Sequence, residues 1–157
     1  MSGGDLDPAR GTREPWGMCG KYKHCALIDA VPDCPRSDGA TSRARPAFHF
    51  VFAPLTDVRN FRPAKIKQPR RAYRDDQQCG ACGLSMFETP EDAREMVRYL
   101  TKGHKRALPE DFGDSLARAD LDPADGESTP PDEHGHYNFF EFARSNVPPK
   151  FTIVGTT

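Results

Sequence analysis

The apolar residues between positions 47 and 53 alternate with a period of two, which predicts a β-strand. Phe48, Phe50 and Phe52 fall on one face of this strand and His49 falls on the other, because successive side chains of a strand point to opposite faces. Shorter apolar runs predict further strands at 83–87, 115–121, 137–142 and 151–154, and a run at 25–31 fits one more short strand.

A second period predicts one main helix at about residues 90–100. Four apolar residues recur there at spacings of three and four, as on one face of a helix. Thr89 can cap this helix, and Pro90 suits its first position. Because the predicted strands outnumber helices and do not alternate with them, we expect an α+β fold, a mostly antiparallel sheet with this helix packed on it.

Composition sets the expected domain organisation. The chain has 157 residues, of which 36% are hydrophobic, and fifteen prolines and thirteen glycines. This length is typical of one domain. Residues 1–18 are rich in Gly, Asp, Pro and Arg, so we expect a flexible N-terminal segment there, followed by a single α+β domain over 19–157.

Charge and hydropathy bear on location. The formal net charge is -1, from 22 basic and 23 acidic residues, so the whole molecule has no field that would attract nucleic acid or a membrane surface. No run approaches the ~20 apolar residues that span a bilayer, and the first residues lack the pattern of a signal peptide. We therefore expect a cytoplasmic protein that does not enter a membrane.

The segment from 59 to 74 concentrates positive charge without one acidic residue. Pro63 and Pro69 interrupt it, so we expect an extended basic loop and not a helix. Such a loop can bind the phosphates of a nucleic acid or nucleotide, or an acidic protein partner, with an aromatic ring for stacking; the alternative is a solvated loop whose charges face acidic residues elsewhere. The candidate binding residues are Arg59, Arg62, Lys65, Lys67, Arg70, Arg71, Tyr73 and Arg74.

Five cysteines leave an odd thiol, and structural disulfides are uncommon in a reducing cytoplasm. Cys79 and Cys82 form a C-x-x-C, a spacing that lets two thiolates bind one zinc ion, and Cys25 and Cys34 are the candidates to complete such a site. Their spacing is not that of a zinc finger. Packing cysteines and a dithiol redox pair therefore remain alternatives to zinc.

A polar cluster precedes the predicted strand at 137–142. His134 and His136 lie two residues apart, with Asp132 and Glu133 beside them. In a strand this spacing puts both imidazoles on one side. The cluster suits a metal or a general acid/base pair, and the alternative is a pair of surface histidines in a polar loop.

Three polar residues stand on predicted strands: His49 on an early strand, Ser85 ahead of the helix, and Glu141 on a late strand among aromatic residues. A carboxylate in an apolar cleft gains a raised pKa and becomes useful for catalysis. The order of these three residues resembles that in which ADP-ribosyltransferase-type domains present their site. The resemblance implies that Glu141 orients the ribose of a dinucleotide while His49 and Ser85 position it.

No glycine-rich phosphate loop, G-x-S-x-G or H-E-x-x-H occurs, so several common enzyme classes lose support. Two functions are predicted. The first is a small cytoplasmic binding or accessory module, with zinc as its one candidate cofactor, that holds an acidic partner or nucleic acid through the basic loop. The second is an enzyme that acts on a nucleotide-like substrate with Glu141, His49 and Ser85 as catalytic residues.

Overall fold

The computed structural model describes residues 20–102 and 112–157. Six strands and three α-helices lie in these ranges. The strands are β1 (Arg45–Val51), β2 (Leu84–Phe87), β3 (Ser115–Leu121), β4 (Gly126–Ser128), β5 (His136–Glu141) and β6 (Thr152–Thr156), and the helices are α1 (Cys25–Asp29), α2 (Ala64–Lys67) and α3 (Pro90–Thr101). The predicted N-terminal segment 1–18 lies outside the described residues.

The six strands form one antiparallel sheet in the order β4-β5-β2-β1-β3-β6. β1 pairs with β3 over its whole length, whereas β1 and β2 share a single pair, Phe48 with Phe87. The two strands therefore diverge beyond that pair and leave a gap near the middle of the sheet. The predicted α+β class with a mostly antiparallel sheet is confirmed.

The alternation predicted for β1 separates two cores. Phe48 contributes to a cluster with Phe87, Leu116 and Ala93 of α3, whereas Val51 belongs to a larger cluster on the opposite face. Burial of each such side chain contributes roughly 1.5–3 kcal/mol relative to exposure. These contacts hold α3 against the sheet beside the gap between β1 and β2.

The start of α3 follows its predicted capping. The Thr89 hydroxyl oxygen accepts a hydrogen bond from the Asp92 backbone N–H at 3.0 Å, and Pro90 occupies the first turn. Ala93 is fully buried against the sheet. The helix predicted at about 90–100 is confirmed, with observed bounds Pro90–Thr101.

Two local predictions are wrong. The apolar run at 25–31 contains a helix, α1, because a short apolar run has no period that separates a strand from a buried helical turn. The basic segment is not wholly extended, since its middle forms α2. Pro63 directly precedes α2 and Pro69 follows it, so the prolines bracket this turn without interrupting it.

A third buried cluster joins α1 to the turn that precedes β2. Tyr22, Ile28 and Phe140 contribute to it, together with cysteines from both segments. A disulfide between Cys34 and Cys79 covalently joins the two segments. The expectation that the cysteines would not form structural disulfides is therefore wrong for this pair.

Within the described ranges, no helix has the length and apolar character needed to span a membrane.

Candidate functional site

Residues of strands β1, β2 and β5 line one cavity of about 280 Å³, with the His49 ring packed toward Phe61 and Phe151 on the sheet face opposite α3. His49 comes from β1, Ser85 from β2 and His136 from the first position of β5. The cavity lies at the gap where β1 and β2 diverge, on the side that α3 covers. Its remaining walls are formed by Phe50, Lys67, Phe87, Met96, Leu100, Phe112 and Asp132.

His49 is almost fully buried at the bottom of this gap. Its Nδ1 lies 2.7 Å from the Ser85 main-chain oxygen, and since a carbonyl only accepts, Nδ1 carries the proton and donates. Burial, with a smaller effect of Lys67, lowers the His49 pKa to about 4. The neutral ring leaves Nε2 as an acceptor, and this buried atom has no partner among the described residues.

Ser85 and His136 meet on the α3 side of the sheet. Phe87 pairs with His136 across β2 and β5, and Ser85 lies two residues before Phe87, so it shares that face. The Ser85 Oγ lies 2.5 Å from His136 Nε2, and Ser85 is exposed. Burial is the main cause that lowers the pKa of His136. A neutral imidazole can therefore accept the Ser85 proton at pH 7.

Asp132 lies behind His136. Its Oδ1 accepts hydrogen bonds from the backbone N–H groups of His134 at 2.8 Å and His136 at 3.1 Å. Its Oδ2 lies 3.7 Å from His136 Nδ1. Ser85, His136 and Asp132 thus lie in the order of nucleophile, base and acid that recurs in nucleophilic catalysis, with Asp132 beyond hydrogen-bond distance of the His136 ring.

Glu141, predicted as catalytic, lies at the opposite end of β5 from His136 and does not line the cavity. Its Oε1 accepts a hydrogen bond from the Val147 N–H at 2.7 Å, and its Oε2 forms an ion pair with Lys23 at 2.8 Å. Both carboxylate oxygens are therefore engaged by the protein. The structure brings His49 and Ser85 together. The residue of β5 that lines their cavity is His136 and not Glu141.

His134 does not accompany His136 into the cavity. It lies exposed in the turn before β5, 3.4 Å from a carboxylate oxygen of Glu133. His134 and His136 were expected to lie on one side of a strand. This expectation does not hold, because β5 begins only at His136.

The basic segment meets the cavity through Lys67 alone of its predicted binding residues. Arg59 pairs with Asp57 at 2.9 Å and Arg74 with Asp76 at 3.3 Å. The remaining basic side chains of this segment form no ion pair with any described residue; these are Arg62, Lys65, Lys67, Arg70 and Arg71. Tyr73 lies 5.1 Å from the Arg71 guanidinium, measured to the ring centroid.

The four predicted zinc ligands lie together around the third cluster. Cys25 and Cys82 are buried free thiols, and Cys34 is bonded to Cys79. Burial raises the pKa of the Cys82 thiol, and its Sγ contacts the main-chain oxygens of Leu27 and Gln78. Across residues 20–102 and 112–157, no group of three or more metal-ligating side chains is placed to hold an ion.

Comparisons with protein-family models, curated proteins and solved structures found no match to this chain. Inferences about function therefore rest on the cavity and on the charges around it.

Two features of the site were not predicted. The pairing of Ser85 with His136 depends on the register between β2 and β5, which residue types alone do not specify. The approach of Lys67 to the cavity depends on the path of the chain around α2. The sequence did indicate a polar cluster around His136, but it did not indicate that Ser85 of another strand would contact this cluster.

Proposed function

We propose that this protein is an enzyme that acts on a phosphate-bearing, nucleotide-like substrate held in the cavity between β1, β2 and β5. One observation carries the proposal: Ser85 and His136 present their side chains to one cavity on the α3 face of the sheet, and His49 of the neighbouring strand lines the same cavity through the gap between β1 and β2. Perturbed titratable groups that converge in a concave, largely apolar site are typical of active sites.

The walls of the cavity match the two parts of a nucleotide. Phe50 and Phe112, both partly exposed, supply aromatic surface on which a base can stack. Lys67 supplies a positive charge, and no carboxylate of the described residues forms an ion pair with it. A phosphate group is a suitable counter-ion for such a lysine.

The polar groups supply complementary hydrogen-bonding capacity. The Ser85 hydroxyl is exposed at the cavity and can donate to or accept from a polar group of the substrate. His136 is held close to Ser85 and is neutral at pH 7, as a general base requires. The site thus combines substrate-binding groups with a group that accepts a proton.

The proposed site departs from the resemblance to ADP-ribosyltransferase-type domains at one point. The resemblance assigns His49 to an early strand and Ser85 to a strand ahead of the helix, and both residues line the proposed site. The third position is taken by His136 and not by Glu141. We therefore propose a nucleotide-like substrate without assigning the chemistry of that family.

Titration with ADP, followed by calorimetry, tests the proposal. Lys67→Ala removes a charge at the cavity and is expected to weaken ADP binding about tenfold, which corresponds to roughly 1.4 kcal/mol. Arg70→Ala is the matched control, because Arg70 belongs to the same segment, is exposed and does not line the cavity. Absence of ADP binding, or equal weakening by both variants, would contradict the proposal.

A second candidate function is a binding or accessory module for an acidic protein or nucleic acid. It is favoured by the basic side chains between 59 and 74 that lack ion pairs within the described residues. We expect Arg62→Ser, Arg70→Ser and Arg71→Ser together to reduce binding of a single-stranded oligonucleotide and to lower its salt dependence. Unchanged binding by this triple variant would reject the basic segment as the interface.

Zinc remains a proposal for the reduced form of the chain. Reduction of the Cys34–Cys79 bond would provide four thiols around one cluster, together with Cys25 and Cys82. Thiolates are preferred ligands of structural zinc. The cytoplasmic location proposed from the sequence would favour this reduced form.

A further inference from the structure

We propose that Ser85 is a nucleophile that takes the phosphoryl group of the bound substrate, with His136 as its general base and Asp132 as a positioning residue. This inference rests on the proposed function for its substrate class. It adds a covalent step and assigns the reacting atom.

The geometry isolates Ser85 as the reactive hydroxyl. Its Oγ is exposed at the cavity and lies 2.5 Å from His136 Nε2. Its main-chain oxygen is fixed by His49 Nδ1. The residue is therefore held by the backbone on one side while its hydroxyl faces both the base and the space that a substrate would occupy.

The charge of Asp132 favours the tautomer of His136 that the step needs. Oδ2 of Asp132 lies on the Nδ1 side of the ring, which favours a proton on Nδ1 and a lone pair on Nε2. Oδ1 of Asp132 is anchored by two backbone N–H groups, so the carboxylate is fixed in place. Asp132 therefore acts on the reaction through His136.

The step balances in atoms and charge. As Ser85 Oγ attacks phosphorus, its proton moves to His136 Nε2, the Oγ–P bond forms and the bond from phosphorus to the leaving oxygen breaks. The leaving oxygen keeps the electron pair and takes the proton from His136. Water then attacks the seryl phosphate, His136 accepts a proton from that water, and Ser85 Oγ leaves with this proton.

Lys67 favours phosphorus as the electrophilic centre. Lys67 lines the same cavity as Ser85, and its ammonium group can offset the negative charge of the non-bridging oxygens, a role that lysines take in phosphoryl transfer. The charged and titratable groups around His136 are Asp132 and His134 from the turn before β5 and Asp92 of α3 beside Gly135, with His49 and Lys67 at the same cavity.

The test uses a fluorophosphonate probe, whose phosphorus is attacked in the same way with fluoride as the leaving group. We expect one adduct per chain, located at Ser85 by peptide mass spectrometry. Ser85→Ala should abolish labelling, and His136→Gln should slow it at least a hundredfold while circular dichroism stays unchanged. Ser37→Ala is the matched control, because Ser37 is an exposed serine far in sequence from any histidine, and it should label like the unmodified protein.

The pH dependence of labelling in Asp132→Asn distinguishes a positioning role of Asp132 from a purely structural one. The labelling rate should rise with pH through the pKa of His136, which lies below that of a free imidazole. Asp132 raises this pKa, so the midpoint of the pH profile should move to lower pH in Asp132→Asn, with a rate about tenfold lower at the plateau. An unmoved midpoint would overturn the role of Asp132.

The failure of this inference is distinguishable from that of the proposed function. If ADP binds but Ser85 is not labelled, or if a residue other than Ser85 carries the adduct, the nucleophile assignment is wrong and the nucleotide site stands. If Ser85 is labelled and ADP does not protect it, the nucleophile stands and the substrate class is wrong. Labelling of Ser85 that ADP prevents supports both.

Discussion

His49 Nδ1 donates a hydrogen bond of 2.7 Å to the main-chain oxygen of Ser85 across the gap between β1 and β2. The two strands share only one residue pair, so this side chain bridges them where the ladder is interrupted. A buried carbonyl without a partner costs about 1–3 kcal/mol, which His49 avoids. The same contact fixes the backbone that presents the Ser85 hydroxyl.

The stability of the protein should depend on pH through His49. Its pKa is about 4 in the folded chain, below the ordinary histidine value of 6.5. Between these values the unfolded chain binds more protons, so stability rises with pH and levels off above about 6.5. We expect His49 to account for a loss of roughly 2 kcal/mol in the free energy of unfolding at about pH 4.5 relative to pH 7.

His49→Gln is the matched variant for this measurement, because a glutamine amide can still donate to the Ser85 oxygen but does not titrate. Urea unfolding of both proteins at several pH values gives the difference that belongs to His49. Parallel pH curves for the two proteins would show that His49 is not the buried neutral group described above.

Glu141 should prove structural. Glu141→Gln removes the ion pair with Lys23 and weakens the acceptor of the Val147 N–H. We expect a loss of about 1–3 kcal/mol in the free energy of unfolding, with ADP affinity within twofold of the unmodified protein at a temperature where both are folded. A selective loss of ADP affinity at unchanged stability would instead return Glu141 to the site.

The Cys34–Cys79 bond closes a loop of 45 residues in sequence separation. The chain-entropy model gives about 4 kcal/mol for such a loop. A reductant should therefore lower the melting temperature of the oxidised protein, whereas a chelator should leave it unchanged. If the same cysteines bind zinc in the reduced protein, a chelator should lower the melting temperature of that protein. The reduced protein should then contain about one zinc per chain, as expected for a single four-cysteine site.

Gly135 should be required for the position of His136. Its φ is +70°, and a Cβ added there would collide with the Asp92 carboxylate. Gly135→Ala is expected to displace the turn and to slow labelling of Ser85, with a loss of about 1–3 kcal/mol in stability. Wild-type labelling by a folded Gly135→Ala protein would show that the turn does not set the geometry of the site.

The sequence predicted elements whose patterns are strong and local. Alternation of Phe48, His49 and Phe50 predicted β1, and the Thr89 cap with its apolar stripe predicted α3. The run at 25–31 was assigned to a strand because five to seven apolar residues have no decisive period. The Cys34–Cys79 pairing was beyond reach, since sequence does not determine which cysteines meet.

The site was predictable in part for the same reason. His49 and Ser85 stood out as polar residues on predicted strands, and the structure places both at one cavity. Glu141 and His136 lie on the same strand, but residue types do not tell which end of that strand faces the gap. That choice is set by the register of β5 against β2, which is a tertiary property.

We propose that the cavity between β1, β2 and β5 binds a nucleotide-like ligand. Histidine ring signals in a ¹H–¹⁵N NMR titration with ADP test it most directly, because the described histidines lie inside and outside the cavity. We predict that the ring signals of His49 and His136 shift together as ADP is added. The ring signal of His24, which directly precedes α1 and does not line the cavity, should stay unchanged. Unshifted His49 and His136 signals at saturating ADP would contradict the account.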